Sequence, residues 1–313
     1  MKKKILILVD MEGCTGIIDM RQYDFCREKM IEETERVIQS IEACEEAEIA
    51  VADCHNDGKN IVRYFSNKGY SCYEHIWSIQ NVEKYDCAML IGFHPKNGEE
   101  GFYPHTLRAD VDELFLGEKS IGEVGLLINW LAGHGVPVVF VGGDSAVKKE
   151  LAGYECVFYA SNATRVELSD KGSSSEQISL SASKSLLDRM TPYVKYALDS
   201  LGEIKLCYDV SAMKVKLIGE NYYKWMPQEL FSTEKGMVVF PDTERFIQSL
   251  LPFCEFLNIA EEYQRVRIHY LVRKIKISGI CVEKDRKGNE LLNQKDWRAL
   301  SDEEIGYLYS RLD

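Results

Sequence analysis

Asp10 and Glu12 stand one residue apart directly after the apolar run Ile5-Leu6-Ile7-Leu8-Val9, and Gly13 and Gly16 follow. Two carboxylates this close repel each other unless something positive lies between them, and a metal ion is the natural counter-charge. Hydrolytic zinc sites combine imidazole nitrogens with carboxylate oxygens and keep one position open for water. His55 and His94 close two further apolar runs, and Glu123 opens a helical stretch. Asp10, Glu12, His55, His94 and Glu123 are therefore the candidate metal ligands. A two-ion site needs a carboxylate bridging ions about 3.5–4 Å apart, and Asp10, deepest at its strand end, is the expected bridge. Asp53, two residues before His55, is placed to orient that histidine.

Each residue alone has a plainer reading. An Asp-x-Glu pair suits a solvated turn, a strand-end histidine is often structural, and Glu123 complements the positive end of a helix dipole. The set as a whole favours a site, because a separate accident is needed for every member. His75, His134 and His269 lack a strand-end context and are read as structural. Asp144 is either a support for the site or a turn former. Cys54 as a nucleophile is the weaker reading, since a thiol beside a zinc ion would be excluded or bound.

The elements that must position these residues follow from periodicity. The unbroken apolar run 5–9 suits a strand buried on both faces. An apolar stripe makes 24–47 a helix with its acidic residues outward. Strands are expected at 49–52, 87–93 and 136–141, with a helix over 121–132 between the last two. Asp10 with Glu12, His55, His94 and Asp144 all fall at strand ends, and in an open α/β sheet such termini share one edge, where ligands bind. Beyond residue 150 the pattern predicts a loop near 171–175, helix over 178–201, half-exposed strands at 204–208 and 213–217, a strand at 236–240 and a helix over 242–256. Residues 266–280 are compatible with a strand and 302–312 with a helix. The fold class is α/β: a mainly parallel central sheet flanked by helices, with a second, smaller α+β domain. The metal-binding catalytic domain is expected over 1–200, and the smaller domain, ending in a C-terminal extension, over 201–313.

With 313 residues, 45% hydrophobic and 28% charged, the chain can bury a full core without disulfides. A net charge of -12 and a pI near 5.2 speak against nucleic acid or an anionic membrane as partner. The ten cysteines form no Cys-x-x-Cys pair, and no stretch approaches the about 18 apolar residues of a spanning helix. A reducing, cytoplasmic setting is expected.

Five short motifs in order carry a resemblance. Leu8-Val9-Asp10-Met11-Glu12-Gly13, Ala52-Asp53-Cys54-His55, Gly92-Phe93-His94, Pro104-His105-Thr106 and Gly122-Glu123-Val124-Gly125 resemble, in order and spacing, those of the zinc-dependent D-aminopeptidases of the dipeptide-transport operon type. Leu8, Pro104 and Thr106 stand where that family has serines. The likeness covers about residues 4–150 well and continues loosely to about 258. It implies two zinc ions per subunit on Asp10, Glu12, His55, His94 and Glu123, and His105 as a catalytic residue. It also implies release of an N-terminal D-amino acid from short peptides, and a homo-oligomer, in the best-known case a decameric ring. Two other readings remain open. Asp-x-Glu-Gly-x-Thr, ending at Thr15, is similar to the opening of haloacid-dehalogenase-type magnesium phosphatases, and the chain could instead be a catalytically silent metal-dependent binding or scaffold protein.

Overall fold

Every side chain from Ile5 to Val9 is wholly buried. The strand they form, β1 (Lys3–Val9), lies mid-sheet between two parallel neighbours in register, and this burial on both faces is what an uninterrupted apolar run requires. The computed structural model describes residues 2–161, 175–278, 285–293 and 296–311; the loop expected near 171–175 lies almost wholly outside them. The chain divides into two compact units. One comprises Met1–Leu107 and Lys119–Val210, the other Arg108–Glu118 and Ser211–Asp313.

In the first unit β1 is followed by α1 (Tyr23–Glu42), β2 (Ala47–Asp53), α2 (Val62–Asn67), β3 (Ser71–Tyr73) and β4 (Cys87–Phe93). The chain then contributes β5 (Val111–Leu116) to the second unit and returns through β6 (Lys119–Ile121), α3 (Glu123–Gly133), β7 (Val138–Gly143), β8 (Val157–Ala160) and α4 (Ser175–Asp199). The sheet order is β3-β2-β1-β4-β7-β8, with every pairing parallel. Ile5, Ile7 and Val9 share a core with Met30, Val37 and Ile41 of α1 and Met190, Val194 and Ala197 of α4. Helix α3, buried along most of its length, packs against β4 and β7. Strand order reverses between β1 and β4, so the connections leaving these two strands diverge and open a crevice at their carboxyl ends.

The second unit is antiparallel, in the order β10-β11-β9-β5, with β9 (Met213–Leu217), β10 (Ser232–Glu234) and β11 (Met237–Phe240). Its helices are α5 (Glu220–Trp225), α6 (Thr243–Ser278), α7 (Arg286–Leu292) and α8 (Asp302–Tyr309). Phe240 meets Phe246 and Phe253 edge-on in its core. No described helix is long and apolar enough to cross a membrane.

Three expected elements differ. Residues 266–278 continue helix α6; their β-branched residues suggest a strand, but Leu257, Ala260, Gln264 and Leu271 are buried at helical spacing. Residues 204–208 alternate in polarity yet form no strand. Side chains take up backbone hydrogen bonds there instead: Lys205 N–H donates to Glu155, and Asp209 N–H to Asn129. The acidic residues of α1 do not all face outward, because Glu33 is wholly buried.

The ends of β1 and β4 approach so closely that only glycine fits. A Cβ on Gly13 would lie 1.9 Å from the Phe93 carbonyl oxygen, and one on Gly92, at φ +75°, 2.1 Å from that of Asp10. Gly92 sits in a register shift between Leu90 and Phe93, and bulges of this type re-aim the following side chain. Gly92→Ala should cost about 3 kcal/mol or more, combining overpacking with a left-handed backbone. Gly69→Ala, at φ +91° with open space around it, should cost about 1 kcal/mol. Urea denaturation of the two variants checks the difference.

Candidate metal centre

The crevice between β1 and β4 is lined by polar side chains that the backbone holds from several directions. Asp10 N–H donates to Ile91 O at 2.9 Å and Gly13 N–H to Gly92 O at 2.8 Å, so the turn after β1 is tied to β4. Asp10 and Glu12 are each only 3% exposed. On the other side, Cys54 N–H donates to Val9 O at 2.8 Å. Asp53, wholly buried, accepts the backbone N–H groups of His55, Asn60 and Ile61 and the Asn60 side-chain amide, at 2.6–3.2 Å. It therefore shapes the turn carrying His55 through the main chain and leaves the imidazole free to face β1.

His55 Nδ1 lies 3.1 Å from Glu12 Oε2 and 3.5 Å from Asp10 Oδ1. His94 Nε2 lies 3.5 Å from Asp10 Oδ2 and 3.3 Å from Glu123 Oε1. Asp10 thus turns one oxygen toward each histidine. Glu123 occupies the first position of α3, and its Oε1 also accepts the Leu107 N–H at 2.7 Å. His105 stacks on His94 with ring centroids 3.9 Å apart and planes 8° from parallel, and its Nε2 is 3.9 Å from Glu12. All six residues singled out by sequence are brought to one place.

The imidazoles of His94 and His105 are each set by their second nitrogen. His94 Nδ1 is 2.9 Å from Pro95 O, and His105 Nδ1 is 2.9 Å from Tyr103 O; a carbonyl only accepts, so both Nδ1 atoms carry protons. In the neutral ring each Nε2 then offers a lone pair to the crevice. The loop bearing His105 is braced: Tyr103 and Leu107 both adopt left-handed backbone at φ 51° and 61°. Strain of this type persists only where neighbours over-determine it, here Glu123 on Leu107 N–H and His105 on Tyr103 O. Asp144 completes the brace, accepting Phe102 N–H at 3.1 Å and Ala146 N–H at 2.9 Å. It is a turn former that ties the loop to the end of β7.

The electrostatics ask for positive charge. Burial opposes charge on His55, but hydrogen bonds and attraction from Asp10 and Glu12 outweigh it and raise its pKa to about 11. Burial is likewise overcome at His94, where Glu123, Asp10 and Glu12 raise it to about 10. Glu123, for which burial favours the neutral acid, is nevertheless held below its ordinary value by His94 and His105. Asp10 Oδ2 is buried with no hydrogen-bond partner, an orphan that a native interior tolerates only for a reason. Ligand atoms of Asp10, Glu12 and His94 lie within 4.8 Å of one another, as do those of His94, His105 and Glu123. Nitrogen with carboxylate oxygen in this geometry fits zinc or a similar divalent ion.

Other candidates fall away. Burial first, then Asp10, Asp53 and Glu123, push the Cys54 thiol well up, which argues against it as a nucleophile. Thr15, on which the phosphatase comparison rests, is 1% exposed and donates its N–H to Glu33 at 2.6 Å. His75 stacks on Trp77, His134 lies edge-on to Trp130, and His269 belongs to the second unit. Glu33 was not singled out by sequence. Its signal is its spacing from Met30 and Val37, which puts it on the buried stripe of α1.

The profile of the family described as D-aminopeptidase matches residues 3–218. The chain belongs to the D-aminopeptidase family. A D-aminopeptidase of Bacillus subtilis (strain 168) is 26% identical over 159 residues, a match covering 47% of this chain and 58% of that protein. The chain thus spans less than two thirds of this curated relative's length. Among solved structures, the zinc-dependent D-aminopeptidase DppA from Bacillus subtilis, a self-compartmentalizing protease, matches with a TM-score of 0.64 and 20% identity. That match covers 81% of this chain and 97% of the other; at this identity it speaks for the α/β fold alone.

Asp53→Ala would strip several buried N–H donors of their acceptor and should destabilise the fold by about 2–4 kcal/mol, measured by chemical denaturation of the metal-free protein.

Proposed function

We propose that this chain is a zinc-dependent aminopeptidase that removes the N-terminal residue, in the D configuration, from short peptides. The observation that carries the reading is Asp10, buried and presenting Oδ1 to His55 and Oδ2 to His94, the disposition expected of a carboxylate shared by two ions. In this scheme Glu12 and His55 complete one ion's ligands and His94 and Glu123 the other's. Zinc at such a centre supplies Lewis acidity, lowering the pKa of water toward about 7 and polarising the scissile carbonyl. Membership in the D-aminopeptidase family supports the substrate class, and the zinc dependence of DppA the choice of metal.

His105 holds no ligand duty in this reading. Its Nδ1–H is committed to Tyr103 O, so Nε2 can take a proton from the attacking water and pass it to the leaving amine. Stacking on His94 keeps that nitrogen over the crevice. A restriction to the N-terminal residue follows if the substrate's free amine pairs with a carboxylate of the site. Self-compartmentalization in DppA supports a homo-oligomer, with a decameric ring as the specific form, and the nine free cysteines among the described residues suit the cytoplasm.

Cleavage of a panel of D-Ala- and L-Ala-headed dipeptides and tripeptides, with zinc, cobalt or manganese added, tests the activity. Release of the D residue is expected; stoichiometric metal without cleavage of any peptide would favour a silent binding protein. Asp10→Ala should empty both metal positions and Glu12→Ala weaken one, as read by metal analysis. A variant at Asp10 that still holds two zinc ions would move the bridge elsewhere. His105→Ala should keep its metal and lose roughly 10²–10⁴-fold in turnover.

Proton linkage gives an independent check. With pKa values of about 11 and about 10, His55 and His94 are protonated in the metal-free chain at pH 7. Raised histidine pKa values stabilise that chain below their unfolded value, and the contribution is lost as pH climbs through 10–11. Zinc must displace those protons, so uptake near pH 7 should release about two per chain and weaken as pH falls. Calorimetry in buffers of different ionisation enthalpy measures the release.

A further inference from the structure

Beneath the turn that carries Glu12 lies a carboxyl group that the proposed chemistry does not use. Glu33 of α1 is wholly buried, its Oε2 accepts the Thr15 N–H at 2.6 Å, and its Oε1 has no hydrogen-bond partner among the described residues. Thr15 Oγ1, beside it, is also buried without a bond. No lysine or arginine pairs with this carboxyl among the described residues: nearby Lys29 is bridged to Glu32. Burial raises the Glu33 pKa against the hydrogen bond from the Thr15 N–H. A carboxyl kept in such a place is costly, and an aliphatic side chain would fill the stripe between Met30 and Val37 at less expense.

What the group does there is mechanical. The turn from Gly13 to Thr15 is fastened at three points: Gly13 N–H to Gly92 O at 2.8 Å, Ser161 Oγ–H to Gly13 O at 3.1 Å, and Thr15 N–H to Glu33. The first two hold Gly13; Cys14 is tied back by its N–H to Met11 O at 3.0 Å and its Sγ–H to Asp10 O at 3.2 Å, and the third holds Thr15 to α1. Glu12 directly precedes this turn, inside the bend that Cys14 N–H closes onto Met11 O, with its carboxylate 3.1 Å from His55 and 3.9 Å from His105.

We propose that Glu33 is a positioning residue, holding the Gly13–Thr15 turn from below so that Glu12 keeps its place in one half of the metal centre. The proposal rests on reading that centre as a two-ion site. Its signature is asymmetric: loosening this anchor weakens the ion that Glu12 holds and spares the one held by His94 and Glu123. A purely structural role would lower stability without separating the two ions.

Glu33→Gln keeps the length and an acceptor oxygen for the Thr15 N–H, and Glu33→Asp withdraws the acceptor by one methylene; both are close enough in size to fold. Zinc titration of the folded proteins, followed by calorimetry, should show the Asp variant weakened roughly ten-fold in one of two binding events and the Gln variant within about three-fold of the parent in both, the margin that separates it from that loss. Two wild-type events in the Asp variant would overturn the assignment, as would equal weakening of both events. A Gln variant as weak as the Asp variant would overturn it too, by showing that charge and not the acceptor matters. If the unmodified protein binds no zinc stoichiometrically, the metal reading itself fails, an outcome distinct from all of these.

Discussion

Everything at the sheet edge answers to one electrostatic problem: three carboxylates, Asp10, Glu12 and Glu123, are gathered around imidazoles at the end of a strand whose last five residues are wholly buried. In water such a cluster would disperse. Here it is held by backbone that cannot move without tearing the parallel sheet, since β1 hydrogen-bonds β2 and β4 up to the last residue before Asp10. Protons on His55 and His94 can balance part of the charge, but Asp10 Oδ2 keeps no donor. The fold supplies the geometry of a candidate cation site.

Glycine makes the close approach possible. Gly13 and Gly92 let the turns after β1 and β4 come within contact of each other's carbonyls, and Asp10 and His94 leave those same turns. The reversal of strand order between β1 and β4 then keeps both connecting helices clear of the crevice. The crevice and the convergence of the ligands have the same topological origin.

The first unit was legible in the sequence because its signals are local. Apolar runs such as 5–9 and 87–93 identify buried strands without knowledge of their partners, and a ligand type at each end follows from position alone. Asp10, Glu12, His55 and His94 could be named for that reason, Glu123 as a carboxylate opening a helix, and His105 from the family likeness. What stayed hidden depends on long-range contact. Glu33 looks like any surface acid of α1 until Thr15 is seen above it. Asp144 reads equally as a turn former or as a support until Phe102 donates to it. The alternation at 204–208 imitates a strand because sequence does not reveal that Glu155 and Asn129 take the ladder's place. In α6, β-branched residues argue locally for a strand, and the buried row that keeps the helix going is recognised only over its whole length.

The placement of the site at the junction of β1 and β4 has a consequence for how the protein is made. The five proposed ligands are strewn along the first 123 residues, and no two neighbours in the fold except Asp10 and Glu12 are neighbours in the chain. A nascent chain that has released β1 and β2 holds only part of the set; the rest arrives when β4 docks beside β1 and α3 has been synthesised. Because parallel pairing closes long loops before it yields contacts, this docking is a late and slow event. In the proposed reading, capture of metal is therefore deferred until the central sheet exists, and metal would act as a latch on the finished fold, never as a template for it.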